Sequence, residues 1–175
     1  MRPPLLLCLF AITLACAIEF PAAFADEIVV NKAQRQLIFK RNEETFQFRI
    51  GLGTHPIGSK RQQGDRRTPE GTYFVTHKNP KSQYYLSIGL NYPNIDDARK
   101  GAEAGLISQH ELKRIEKANN SRKLPPQNTP LGGDIFIHGR GSSTDWTWGC
   151  IALDDPDMKF LFENVKVGTA VSINP

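Results

Sequence analysis

Apolar and polar residues alternate with a period of two over much of the early chain. In "TFQFRIG" (45–51), Phe46, Phe48 and Ile50 alternate with Gln47 and Arg49, which predicts a half-buried strand. "EIVVN" (27–31) and "RQLIFK" (35–40) are apolar runs separated by the short "KAQ", a hairpin pattern. "GTYFVTH" (71–77) and "YYLSIGL" (84–90) continue the series, enriched in aromatic and β-branched residues. "GDIFIHG" (133–139) carries apolar residues on both faces, as a central strand does, and "KVGTAVSI" (166–173) predicts a last strand.

Helical signals are fewer. Ser108 begins S-x-x-E with Glu111, a capping box in which each side chain satisfies a backbone N–H of the other residue. "ELKRIEKA" follows, with Leu112 and Ile115 on one face. Asp154-Asp155-Pro156 predicts an N-cap and a first-turn proline opening the helix "PDMKFLFENV". In "GDRRTPEGTY" (64–73), Pro69 and Gly71 suit a tight turn, and "KLPPQNTP" (123–130) reads as a stiff, exposed excursion. The expected fold is mainly β, a β-sandwich or partly closed barrel with one or two short α-helices.

The N-terminus fixes the compartment expected. Arg2 is the only charge before Glu19, Leu5 to Ile18 are apolar, and Ala23-Phe24-Ala25 precedes the acidic pair Asp26-Glu27. This is the layout of a secretory signal peptide, residues 1–25, cleaved after Ala25 to leave a single domain of residues 26–175. The apolar run is shorter than the roughly 20 residues a spanning helix needs, so no membrane anchor is expected after cleavage. Lipidation at Cys16 is the alternative, but Thr13-Leu14-Ala15 before it matches the usual lipoprotein box poorly.

Export changes how charge and cysteine are weighed. The formal net charge is +4, and its densest part is "SKRQQGDRR" (59–67), a solvated loop by default and a contact for an anionic wall polymer otherwise. Nucleic acid is not an expected partner of an exported domain. Cleavage removes Cys8 and Cys16 and leaves Cys150 alone. Exported proteins normally pair their cysteines; a lone thiol is either an inert core filler or a nucleophile.

The surroundings of Cys150 favour the nucleophile. His138 ends a strand twelve positions earlier, and "GRGSSTDWTWG" between them is loop-like enough to fold back. An imidazole in reach would take the thiol proton and return it to a leaving amine. The Gly139 carbonyl would orient that ring, with Asp145 as the alternative. Gly149 removes a side chain where a substrate carbonyl approaches, leaving the N–H groups of Gly149 and Cys150 for a developing oxyanion. The rival is a structural cysteine beside a core histidine. A zinc site built on Cys150 and His138 lacks two further ligands at recognisable spacing, so no metal or cofactor is expected.

"IHG" followed by "TWGCIAL" resembles the catalytic motif of L,D-transpeptidases of the YkuD type: a histidine, a loop, then Ser/Thr-His-Gly-Cys. "GDRRTPEGTYFV" (64–75) and "YYLSIGLNYPNIDDA" (84–98) are similar to that family too, so the resemblance runs from Glu27 to Ile173. It implies a β-rich domain acting on peptidoglycan stem peptides in the bacterial envelope. Cys150 would form a thioacyl enzyme with release of D-alanine and pass the acyl group to an amine on another stem or on a wall-attached protein. Transfer to water instead would make it an L,D-carboxypeptidase or amidase. A wall-binding domain without activity is the third possibility. The resemblance makes His138 the base and acid, the Gly139 carbonyl its orienter, and Gly149 part of the oxyanion site. Two positions depart from the pattern: Trp148 stands where the family usually has histidine, although Thr147 keeps the Ser/Thr position, and Ala152 stands where arginine is frequent.

Around this pair, Trp146 and Trp148 are candidates to shape the pocket, and Arg140 to meet a stem-peptide carboxylate. Tyr84 and Tyr85 alternate, one expected in the core and one toward substrate. Asp154 and Asp155 read as helix caps. His55, His77 and His110 have no partners at ligand spacing.

Overall fold

The computed structural model describes residues 25–175. The expected signal peptide, with Cys8 and Cys16, lies outside the described residues apart from Ala25. The chain opens with strands β1 (Glu27–Asn31) and β2 (Gln36–Arg41), antiparallel and in register from Glu27–Lys40 to Asn31–Gln36. β3 (Glu44–Arg49) turns back against β2. β4 (Gly71–Ser82) and β5 (Tyr85–Leu90) form a second, longer hairpin. Helices α1 (Ile95–Glu103) and α2 (Gln109–Asn120) follow, then the short strands β6 (Phe136–His138) and β7 (Ile151–Ala152), helix α3 (Asp155–Asn164) and strand β8 (Ala170–Asn174).

The eight strands make one sheet in the order β3-β2-β1-β8-β4-β5-β6-β7. The last strand in sequence therefore sits in the middle, parallel to β1 and antiparallel to β4. The sheet also curls until its ends meet. Just past β3, Gly51 exchanges hydrogen bonds with Ala152 (2.9 and 2.8 Å), and Thr147 donates to the Leu52 carbonyl while its own carbonyl accepts from Thr54 (3.0 Å each). A single curled sheet of this kind is the partly closed barrel of the two architectures expected. A third helix, α1, adds to the two that the sequence signposts.

Period-two burial is what fills the barrel. Ile28, Val30, Leu37 and Phe39 point inward from β1 and β2, joined by Ile88, Ile137, Ile151, Val171 and Ile173. Each such side chain removed from water contributes about 1.5–3 kcal/mol. Phe46 and Phe48 of β3 carry Phe160 of α3, with ring centroids 4.7 and 5.9 Å away, and Met158 and Leu161 of the same helix enter the core. α1 and α2 make a separate small cluster of Ala98, Ile107, Ile115 and Leu131.

The loop between β3 and β4 is held by buried ions. Lys32 is buried, and its ammonium reaches Glu70 (2.6 Å) and the carbonyls of Gly58 (2.7 Å) and Thr68 (3.0 Å). Asp65 accepts from the buried Lys60 ammonium (2.9 Å) and from the N–H groups of Arg61 (2.6 Å), Gln62 (3.1 Å) and Arg67 (3.1 Å). The basic stretch 59–67 is thus a folded wall with only part of its charge in water. A lysine buried this deeply survives because its donors are all satisfied.

Candidate active site

β6 and β7 run parallel, with Ile137 opposite Ile151 and His138 opposite Ala152. Cys150 immediately precedes β7, so the pairing delivers it to the strand that ends in His138. The turn before it depends on Thr147 and Gly149. The buried Thr147 hydroxyl accepts from the Gly149 N–H (3.1 Å) and donates to the Cys150 carbonyl (2.7 Å). Gly149 has φ +129°, and a side chain there would meet the Arg67 carbonyl oxygen at 2.7 Å. Only glycine fits this approach of two backbones.

His138 is buried, and its Nδ1 lies 2.7 Å from the Gly139 carbonyl oxygen. A carbonyl only accepts, so Nδ1 carries the proton and Nε2 presents a lone pair. Tyr84 stacks on the ring (centroids 4.6 Å, 27°) and Trp146 meets it edge-on (5.5 Å, 67°). Trp146 is fixed in turn by its indole N–H on the Gly141 carbonyl (3.0 Å). Burial pulls the His138 pKa below its ordinary value, and the Gly139 hydrogen bond opposes this only in part. The imidazole is neutral at neutral pH, the state a general base needs.

Cys150 is partly exposed, and its sulfur lies against the backbone at the start of β6. The thiol donates to the Asp134 carbonyl (3.4 Å), and Sγ accepts from the Phe136 N–H (3.5 Å). Burial pushes the thiol up to about 11; the Phe136 N–H and the Lys60 charge pull it down, and Asp134 pushes it further up. At rest, then, sulfur keeps its proton and points it at the Asp134 backbone carbonyl. Phe136 and His138 are two positions apart on β6, roughly 6.6 Å at about 3.3 Å per residue.

The candidate oxyanion donors differ in their partners here: the Gly149 N–H is bonded to Thr147 Oγ1, and the Cys150 N–H makes no hydrogen bond among the described residues. Thr147 itself is buried and braces this turn. Asp145 is not at His138: it accepts from the Arg35 guanidinium (2.7–3.1 Å) and from the Leu52 N–H (2.9 Å), tying the barrel seam together.

The remaining candidates spread around this centre. Trp148 is 74% exposed, with the Arg66 guanidinium 5.3 Å from its ring centre. Arg140 is exposed and is held by its backbone N–H on Asp155 (2.8 Å). Tyr84 and Tyr85 are each a little over a third exposed (37% and 38%), so neither is core. Asp154 occupies the N-cap position of α3, but its carboxylate accepts from Ser142 (2.9 Å) instead of from the helix, and with Asp155 it latches the 139–142 loop to α3. Sequence reasoning missed the Asp134 carbonyl, the Lys60 charge and Arg66. Only the basic loop as a whole hinted at the last two. No three His, Cys, Asp or Glu side chains among the described residues gather as a metal-binding group.

Known proteins are similar to this chain in sequence or in fold. YafK of Escherichia coli K12 is 38% identical over 56 residues, covering 31% of this chain and 23% of YafK. The helical cell shape determining protein Pgp2 from Campylobacter jejuni superposes with a TM-score of 0.56 at 24% identity, over 85% of this chain and 47% of that one. Bd1075 of Bdellovibrio bacteriovorus gives a TM-score of 0.52 at 23% identity, over 89% and 49% of the two chains. At these identities the solved structures share the fold, and the chain spans less than half the length of each of these three relatives. The model of the YkuD family, described as the L,D-transpeptidase catalytic domain, matches residues 25–173. Motif, curled sheet and family match agree: the chain belongs to the YkuD family of L,D-transpeptidase catalytic domains.

Proposed function

We propose that this protein is a peptidoglycan L,D-transpeptidase working by cysteine acyl transfer in the periplasm or cell envelope of a bacterium. The observation that carries the proposal is the base-competent His138, pinned by Gly139 on the strand beside Cys150. Cys150 Sγ attacks the carbonyl carbon of the amide after the third residue of a tetrapeptide stem, while His138 Nε2 takes the thiol proton. The Cys150 N–H faces the oxygen that gains charge. Collapse breaks the C–N bond, His138 returns the proton to the leaving amine, and D-alanine departs from a thioacyl enzyme. An acceptor amine, on a second stem or on a wall-attached protein, then attacks the thioester and gives its proton to His138, which passes it to the departing sulfur. The resting thiol is protonated, so proton transfer accompanies attack and no thiolate–imidazolium pair stands ready beforehand. All of this chemistry is supplied by the chain's own side chains and backbone.

Incubating residues 26–175 with tetrapeptide-bearing muropeptides and weighing the products tests this. Cross-linked dimers that have lost alanine are expected. Tripeptides alone would make the protein a hydrolase using the same pair, and unchanged substrate would refute acyl transfer.

A further inference from the structure

Arg66 is placed for a purpose that the catalytic chemistry leaves unexplained. Its backbone sits at φ +57°, a region that non-glycine residues seldom occupy. Its carbonyl accepts from His55 (3.2 Å) and occupies the space a Gly53 side chain would need, and the same empty face of Gly53 lies 3.2 Å from the Gly149 Cα. Backbone strain beside a nucleophile is kept only where the surroundings enforce it; here Gly53, Asp65 and His55 do. The outcome is a guanidinium 5.3 Å from the centre of the Trp148 ring, two residues before Cys150.

A guanidinium within about 6 Å of an indole ring centre is attracted by the ring and still has N–H donors to offer a bidentate carboxylate. Arg66 forms no ion pair among the described residues, whereas Arg35 and Arg99 both do. Next to it is an open hollow of about 360 Å³, lined by Thr54, His55, Pro56, Ile57 and Arg67. Thr54 is bonded to Thr147 and His55 to Arg66, so the hollow belongs to the same wall. Ile57, 85% exposed on its rim, gives apolar cover beside the charge.

We propose that Arg66, within cation–π reach of Trp148, is a carboxylate-reading subsite that receives an acidic group of the peptide substrate beside Cys150. It rests on the peptidoglycan reading only for the identity of that peptide. It also gives Arg66 the carboxylate contact for which Arg140 was the candidate. Trp148, which departs from the family pattern, supplies the ring that attracts this arginine.

The test uses the Cys150→Ala form of residues 26–175, titrated calorimetrically with a tetrapeptide stem and with versions amidated at the C-terminus or at the third-residue side chain. Losing a charge-assisted contact weakens binding about tenfold to hundredfold, so one of the amides binds that much more weakly than the acid. Adding Arg66→Gln brings acid and amide affinities together, and Arg66→Lys restores part of the difference; which amide loses affinity identifies the carboxylate. An unchanged acid-to-amide ratio in Arg66→Gln, a ratio abolished by Arg140→Gln instead, or no binding of the acid stem overturns the subsite. Turnover by the protein with Cys150 intact is scored separately: its absence refutes the transpeptidase reading while the binding ratio still decides the subsite.

Discussion

His138 Nδ1 and the Gly139 carbonyl oxygen lie 2.7 Å apart, in neighbouring residues of one chain. The orienting group is therefore backbone, supplied at the end of β6, and it cannot be removed by changing a side chain. A carboxylate in that place would raise the basicity of the ring; a neutral carbonyl fixes the tautomer and leaves the ring a weak base.

Replacing His138 by Gln should lower kcat about 10²–10⁴-fold, as loss of a general base does, with little change in fold. Cys150→Ser should abolish thioacyl adducts in intact-mass spectra. Retention of the adduct by Cys150→Ser, or an unchanged kcat in His138→Gln, would break the assignment.

The pH profile follows from the two opposed shifts. His138 is pulled below 6.5, so kcat/KM should fall on the acid side only below that value and stay level through neutrality. The free thiol is held up at about 11, so the rate of alkylation by iodoacetamide should keep climbing with pH to that region. A plateau near pH 7 would reveal a pre-formed thiolate.

Thr147→Val keeps shape but leaves the buried Gly149 N–H without its acceptor, at a cost of about 1–3 kcal/mol. Urea unfolding should show the loss, Thr147→Ser should largely recover it, and activity should follow stability in both.

Asp97 accepts from Tyr73 (2.9 Å) and Asn94 (3.0 Å), yet burial raises its carboxyl to about 6 from 3.8. The folded state then holds this proton more tightly than the unfolded chain. Its contribution is most favourable below about pH 4 and is lost as pH rises through 6, by roughly 3 kcal/mol at 1.36 kcal/mol per pH unit. The stability difference between the wild type and Asp97→Asn should therefore change between pH 4 and pH 7.5, the wild type losing ground as pH rises. Parallel unfolding curves at both pH values would contradict it.

Much of the barrel could be read from alternation. Phe46 and Phe48 are half-buried while Gln47 and Arg49 are exposed, as their spacing predicts. α1 was less legible because Ile95 is its only large apolar residue and its buried positions are Ala98 and Gly101, too small to leave a stripe. Its capping box, Asn94 with Asp97, was the available signal. Tyr84 and Tyr85 escaped the period-two argument because a turn with φ +72° at Tyr85 interrupts the alternation there. In the site, residue types pointed to Cys150, His138 and Gly139. The direction in which a threonine hydroxyl turns, or which carbonyl lies under a sulfur, depends on contacts between segments far apart in sequence.

The barrel seam joins residues 51–54 to residues 147–152. Nearly a hundred positions separate its two sides, and Cys150 sits on one of them. A chain that has assembled every hairpin but left this seam unzipped would look native to far-ultraviolet circular dichroism and yet be chemically silent. For this protein, counting competent molecules requires titrating the sulfur, because ellipticity counts a larger population.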